Sequence, residues 1–169
     1  MHKLNIAHRD IKPENILIDG FNGTQINVKF TDFGFATYFN DQDKLKEQMG
    51  SPLYMAPEIV KGHLYDQQVD IWSTCIVIYT MLTGRPAFYG STKDEIYRAI
   101  RDDEIEFGLE FRNISKEAVD FLKKGLHKNQ FKRHNCSQML NHKWFTNENK
   151  SSMLDKSNQS LTHISRNMR

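Results

Sequence analysis

His8-Arg9-Asp10-Ile11-Lys12-Pro13-Glu14-Asn15 places a carboxylate, a lysine and a side-chain amide on one short polar loop. Asp10 and Asn15 stand five residues apart, and Lys12 follows the carboxylate by two. One segment thus carries a proton acceptor, an oxygen ligand for a hard cation and a positive charge. Asn5 to Ala7 leads into the loop as a short β-type segment. After it, Ile16-Leu17-Ile18 and Ile26-Asn27-Val28-Lys29-Phe30 read as the two strands of a hairpin. Between them, Asp19-Gly20 and Asn22-Gly23 are expected to supply the positive-φ residues of a tight connection. Directly after the second strand comes Asp32-Phe33-Gly34, which adds a second hard oxygen ligand and a glycine able to switch its backbone.

From Thr31 to Glu58 no periodic apolar pattern appears. A connection this long inside a compact domain is usually a functional loop. From Asp66 onward the pattern is helical. Val69 to Leu82 is apolar nearly all round, as a helix at the centre of a fold must be. Ser91 and Thr92 are candidate caps for a second helix, with Ile96, Tyr97 and Ile100 facing inward. Ser115 caps a third, in which Ala118, Val119, Leu122 and Leu126 recur at helical spacing. Asn135 begins a short fourth helix carrying Met139 and Leu140. After Phe145 the composition turns to Asn, Ser, Lys and Gln. One domain over residues 1–145 and a polar, disordered tail over 146–169 are expected, with Leu154, Leu161 and Ile164 as a weak docking segment.

Bulk properties narrow the classes. The chain has 169 residues, enough for one core, and a net charge of +2 with basic and acidic residues interspersed. That balance gives no reason to expect a nucleic-acid or membrane partner. Cys75 and Cys136 share no metal or redox spacing, which favours a reducing cytoplasmic setting, with the nucleus second. The first ten residues lack the apolar run of a signal peptide. Ile71 to Leu82, interrupted by Ser73 and Thr74, is about half the length a membrane span needs.

The eight residues from His8 match the catalytic-loop pattern of protein kinases residue for residue, and Asp32-Phe33-Gly34 follows at that family's spacing. Gly50-Ser51-Pro52-Leu53-Tyr54-Met55-Ala56-Pro57-Glu58 resembles the loop that receives the residue after the acceptor and its closing Ala-Pro-Glu. Asp70-Ile71-Trp72 resembles the signature opening the central helix. Together these features resemble the C-terminal lobe of a eukaryotic serine/threonine protein kinase. The resemblance implies an α+β, protein-kinase-like fold, mainly α-helical in this portion, with a short β-hairpin at the active site. It implies transfer of the γ-phosphate of ATP, with Mg²⁺, to serine or threonine hydroxyls of proteins.

Residue by residue, the resemblance implies that Asp10 accepts or orients the attacking hydroxyl and that Lys12 reaches the transferring phosphate. Asn15 and Asp32 would hold magnesium. Lys12, Glu14, Asn15, Leu17 and Asp32 would face ATP, Leu17 as the floor of the adenine pocket or else as plain core. Ser51 and Glu14 would face the protein substrate. Glu14 is either the contact for an arginine upstream of the acceptor or a solvated loop carboxylate. His8 would pack beneath Phe33, and Gly34 would serve the switching loop. Asp70 would open the central helix, and Glu58 and Arg133 would form a buried ion pair.

Lys12 after Asp10 is the serine/threonine pattern, and Phe35 resembles the large residue associated with serine acceptors. Arg9 implies a catalytic loop ordered by negative charge on the activation loop. Glu47 stands where many relatives carry a phosphothreonine, three residues before Gly50-Ser51, so a fixed carboxylate is expected to replace the phosphate. Calcium-dependent kinases resemble this arrangement, and Ser115 to Phe145 resembles their last helices, whereas Gly50 to Glu58 resembles autophagy-initiating kinases. No calcium-loop pattern follows in the tail. Cys75 stands where the family commonly has glycine and Lys143 where it has proline; Arg85-Pro86-Ala87-Phe88 is a further variation. A glycine-rich loop, its strand lysine and the paired glutamate are not in these residues. The N-terminal lobe is therefore expected from a longer protein, and these residues alone are expected to transfer phosphate weakly or not at all. The alternative is an inactive kinase-like module that binds protein partners.

Overall fold

The computed structural model describes residues 1–21, 23, 26–40 and 44–146. Its centre is α2 (Gln68–Thr83), whose buried residues, Val69, Ile71, Trp72, Cys75, Ile76, Val77 and Tyr79 among them, cover most of its circumference. A helix apolar on all sides can only be satisfied by neighbours on all sides. Trp72 is fully buried and stacks on Phe88 with ring centroids 6.0 Å apart. Tyr79 packs against Phe107 and Phe111. Gly84 stops the helix at φ 69°, and its amide returns to the Thr80 carbonyl.

Among the described residues, five further α-helical segments accompany α2. The short α1 (Pro57–Val60) lies before it, and α3 (Lys93–Asp102) after it is capped by Thr92, which accepts the Glu95 amide. The N-terminus of α4 (Lys116–Gly125) is capped by Ser115, and α5 (Cys136–Leu140) opens on a reciprocal capping box between Asn135 and Gln138. A last turn, α6 (Lys143–Thr146), brings Trp144 and Phe145 onto Phe121. At Cys75 the helices compensate for a large residue. A Cβ built on Gly125 would strike the Cys75 Sγ, so the glycine of α4 makes the space that the thiol of α2 fills.

Two antiparallel ribbons lie beside the helices. β1 (Ile6–Ala7) pairs with β4 (Thr37–Tyr38), and β2 (Ile16–Phe21) pairs with β3 (Ile26–Phe30). The β2–β3 hairpin is the expected one, but its turn is not. Gly20 lies within β2 beside a register shift and opposite Asn27, and it has no positive φ. Gly23 alone, at φ 90°, shows the left-handed geometry expected of the connection; Asn22 lies outside the described residues. Through the bulge β2 continues three residues beyond its apolar run, which is why Asp19-Gly20 reads as a turn locally.

Three further expectations change. Ser91 does not cap α3; its amide donates to the Glu95 carboxylate, leaving Thr92 as the cap. Leu140 is 65% exposed, because the five residues of α5 present one side only, occupied by Met139. β4 falls inside the stretch without apolar period and pairs with the expected β-type segment at β1, since a two-residue strand carries no pattern to read. The expectations for Leu154, Leu161 and Ile164 lie outside the described residues.

Candidate active site

The His8–Asn15 loop leaves β1 and is clamped from below by α2. Asp70, in the first turn of that helix and buried, accepts the backbone amides of His8 (2.8 Å) and Arg9 (2.9 Å) and pairs with the His2 ring (2.9 Å). Arg9 sits at φ 69°, a left-handed conformation costly for a residue with a side chain. The two amide bonds to one carboxylate hold it there. His8 donates from Nε2 to the Thr31 carbonyl and accepts the Asp10 amide at Nδ1, a pairing that requires the neutral Nε2–H tautomer. Its ring lies 5.2 Å from that of Phe33.

Asp10 is the most heavily coordinated side chain of the loop and only 4% exposed. One oxygen accepts the Ser51 amide (2.9 Å) and hydroxyl (2.8 Å). The other accepts the Lys12 ammonium (2.8 Å) and the Asn15 amide (3.2 Å). Asn15 also donates to the Asp10 carbonyl at 2.8 Å, which turns its own side-chain oxygen away from the carboxylate. Lys12 completes the ring by donating to the Ser51 hydroxyl at 2.9 Å. Burial works to raise the Asp10 pKa, but the bonds from Lys12 and Ser51 outweigh it and hold the carboxyl below its ordinary value. The Lys12 ammonium is correspondingly favoured, by Asp10 first and by Glu14 and Asp32 as well.

Asp32 stands at φ 55° with its carboxylate exposed toward solvent and one oxygen accepting the Gly34 amide at 3.3 Å. This leaves a hard oxygen donor near enough to Lys12 to favour its ammonium. Leu17 and Glu14 are both exposed. Among the described residues, no three or more His, Cys, Asp or Glu side chains converge as a metal cage.

The long loop is attached at three points. Arg9 donates from Nε to the Phe35 carbonyl (2.6 Å) and from Nη1 to the Glu47 carboxylate (2.9 Å) and the Tyr65 hydroxyl (3.3 Å). Burial opposes the Arg9 charge, but Glu47 and Tyr65 more than offset it and its pKa is raised. Gly50, at φ 110°, passes so close to the loop that a Cβ would lie 2.6 Å from the Arg9 carbonyl oxygen. Only glycine fits. Ser73 of α2 then holds the Tyr54 carbonyl at 2.7 Å.

Behind the loop, Arg133 grips Glu58 through two bonds of 2.6 and 2.9 Å, both side chains buried. The same guanidinium donates to the Gln68 and His127 carbonyls and lies over Trp72, 5.2 Å from the ring centre. The expected pair is therefore present. His8, Arg9, Asp10, Lys12 and Asn15, with Ser51 and Asp70, are joined by one set of hydrogen bonds, whereas Glu14, Leu17 and Asp32 stand exposed outside it. The sequence reading missed His2 and Tyr65, whose partners lie 68 and 56 residues away. Neither position carries a local signal.

The chain matches the family model described as protein kinase domain over residues 1–145. It is 42% identical over 157 residues to calcium-dependent protein kinase 3 of Plasmodium berghei, an alignment covering 92% of this chain and 28% of that protein. It is 38% identical over 145 residues to calcium-dependent protein kinase 4 of the same organism, covering 85% and 27%. Against myosin light chain kinase A of Dictyostelium discoideum it is 38% identical over 156 residues, covering 92% and 52%. The chain thus spans between about a quarter and a half of the length of these relatives.

Proposed function

The chain belongs to the protein kinase family, and we propose that it supplies the proton-accepting, metal-holding and substrate-facing groups for moving the γ-phosphoryl of ATP to a serine or threonine hydroxyl. The observation that carries this reading is the buried, doubly anchored Asp10 carboxylate. Its depressed pKa keeps it ionised throughout the neutral range. An ionised carboxylate of low basicity orients a hydroxyl by accepting its hydrogen bond. It takes the proton only once the oxygen is bonding to phosphorus and has become acidic. Ser51 and Asn15 fix the direction of the carboxylate, and Lys12, already bridging Asp10 and Ser51, offers a cation beside the reacting oxygen.

Magnesium and ATP, when bound, supply the phosphoryl group and neutralise its charge. Asp32 and the Asn15 carbonyl are hard oxygen donors of the kind magnesium prefers, and one or two such groups suffice where phosphates complete the shell. Lys12 would face the phosphates, with Leu17 and Glu14 at the margin of the nucleotide. On the protein-substrate side, Glu14 is exposed and close enough to Tyr54 to contribute to raising that phenol's pKa, second to burial. A carboxylate beside the acceptor loop suits a basic residue upstream of the acceptor. Phe35 supports serine over threonine. Glu47 on Arg9 supports a loop seated without phosphorylation.

The test uses the full-length protein that contains this chain. Asp10→Asn keeps the shape and the Asn15 and Lys12 neighbours but removes the charge. We expect kcat to fall by about 10²–10⁴ with little change in KM for peptide. Retention of more than about a tenth of wild-type kcat would sink the reading, because an orienting carboxylate is worth more than that.

A further inference from the structure

Tyr65 is completely buried, and every polar group it carries is turned toward the long loop or toward Arg9. Its hydroxyl donates to the Glu47 carbonyl at 2.7 Å and accepts from Arg9 Nη1 at 3.3 Å. Its backbone amide and carbonyl both pair with Leu45, each at 2.9 Å, as an isolated β-bridge. The Glu47 carboxylate shares the same Arg9 Nη1, but its side chain is 64% exposed. An ion pair whose carboxylate is open to solvent, though its arginine is buried, is screened by salt from that side and adds less. A buried hydroxyl bridging two groups is not screened, and losing it strands a carbonyl and a guanidinium proton.

We propose that Tyr65 is the positioning residue that seats residues 45–47 against Arg9, with the Glu47 charge a secondary, salt-screened contribution. The seat is transmitted along a short path. The Arg9 amide is fixed on Asp70 and its carbonyl faces Gly50, and the next residue, Ser51, holds the Asp10 carboxylate. The inference rests on reading residues 31–58 as the activation loop of a kinase, but it does not need phosphotransfer to be observed.

Amide hydrogen exchange in the full-length protein tests it, comparing residues 44–50 with α2. Wild type, Tyr65→Phe and Glu47→Gln are measured at about 0.05 M and about 1 M salt, where the Debye length falls to about 3 Å. We expect Tyr65→Phe to speed loop exchange about tenfold while α2 is unchanged, the loss of one buried bridge. Wild-type loop exchange should stay within about twofold on adding salt, and only in Tyr65→Phe, where the ion pair alone remains, should it become salt-dependent. A tyrosine that merely filled space would not confer that salt dependence. The proposal is overturned if Tyr65→Phe matches wild type, or if Glu47→Gln or salt alone frees the wild-type loop as fully. Should Tyr65→Phe also loosen α2, the wild-type salt series and Glu47→Gln decide by the same criteria. Absence of phosphotransfer with these exchange results intact would count against the proposed function alone.

Discussion

Asp10 combines deep burial with four hydrogen-bonding contacts, and the contacts decide its ionisation. Burial alone would raise its pKa; Lys12 and Ser51 reverse the sign. A carboxyl depressed in the folded state stabilises the fold at any pH above its unfolded value, about 3.9, and that contribution is lost as pH falls through the lower folded value. The stability difference between wild type and Asp10→Asn should therefore be flat from about pH 5 to 8 and shrink below about pH 4. Denaturant melts at a series of pH values measure it. A difference that varied across the neutral range would show that another titrating group controls the loop. Arg9 shows the same kind of balance in its backbone, whose left-handed conformation is tolerated because Asp70 accepts its amide and that of His8.

Among the elements, α2 and α4 are fitted by exchanging bulk. Cys75 is buried and its thiol is pushed up to about 12, so it is neutral and acts as packing, not as a nucleophile. Gly125 faces it with no room for a methyl group, whose carbon would also lie 2.7 Å from the Met139 Cε. Gly125→Ala should destabilise the domain by about 1–3 kcal/mol through overpacking, and Cys75→Gly in the same chain should recover most of it. A double-mutant cycle in denaturant reads the recovery; additive losses would mean that the two residues do not share the space. The departure at Cys75 is visible in the sequence. Its compensation fifty residues on is not, because glycine in a helix has many explanations and only the helix crossing selects one.

Across the whole molecule, the Glu58–Arg133 pair joins the end of the long loop to the segment before α5. Both side chains are buried, and Arg133 also serves two carbonyls and the face of Trp72. Glu58→Ala should cost about 3–5 kcal/mol, mostly because Arg133 is left charged without its counterion. Replacing both with Glu58→Leu and Arg133→Met should be less costly than the sum of the single changes, though short of neutral, since the Gln68 and His127 carbonyls lose their donor. Unfolding midpoints of the three variants give the answer, and equal losses for the pair and the sum would remove the uncompensated charge as the cause.

The sequence by itself determined the His8–Asn15 loop, the Asp32-Phe33-Gly34 segment, the β2–β3 hairpin, the central helix and the caps at Thr92, Ser115 and Asn135. These are local: each depends on residue types within a few positions of one another, where spacing translates directly into geometry. The resemblance to a known family extended this reach to Glu58–Arg133 and to Glu47 beside Arg9. Tertiary structure alone decided the rest. It placed Asp70 under the loop from 61 residues away, turned Ser51 onto Asp10 across 41, and buried Tyr65 against Arg9 across 56. It also moved the hairpin turn beyond Gly20 and paired two-residue strands that carry no period. Such contacts are set by how the helices pack around α2, and no local pattern encodes them, because the groups that meet owe their proximity to the core between them.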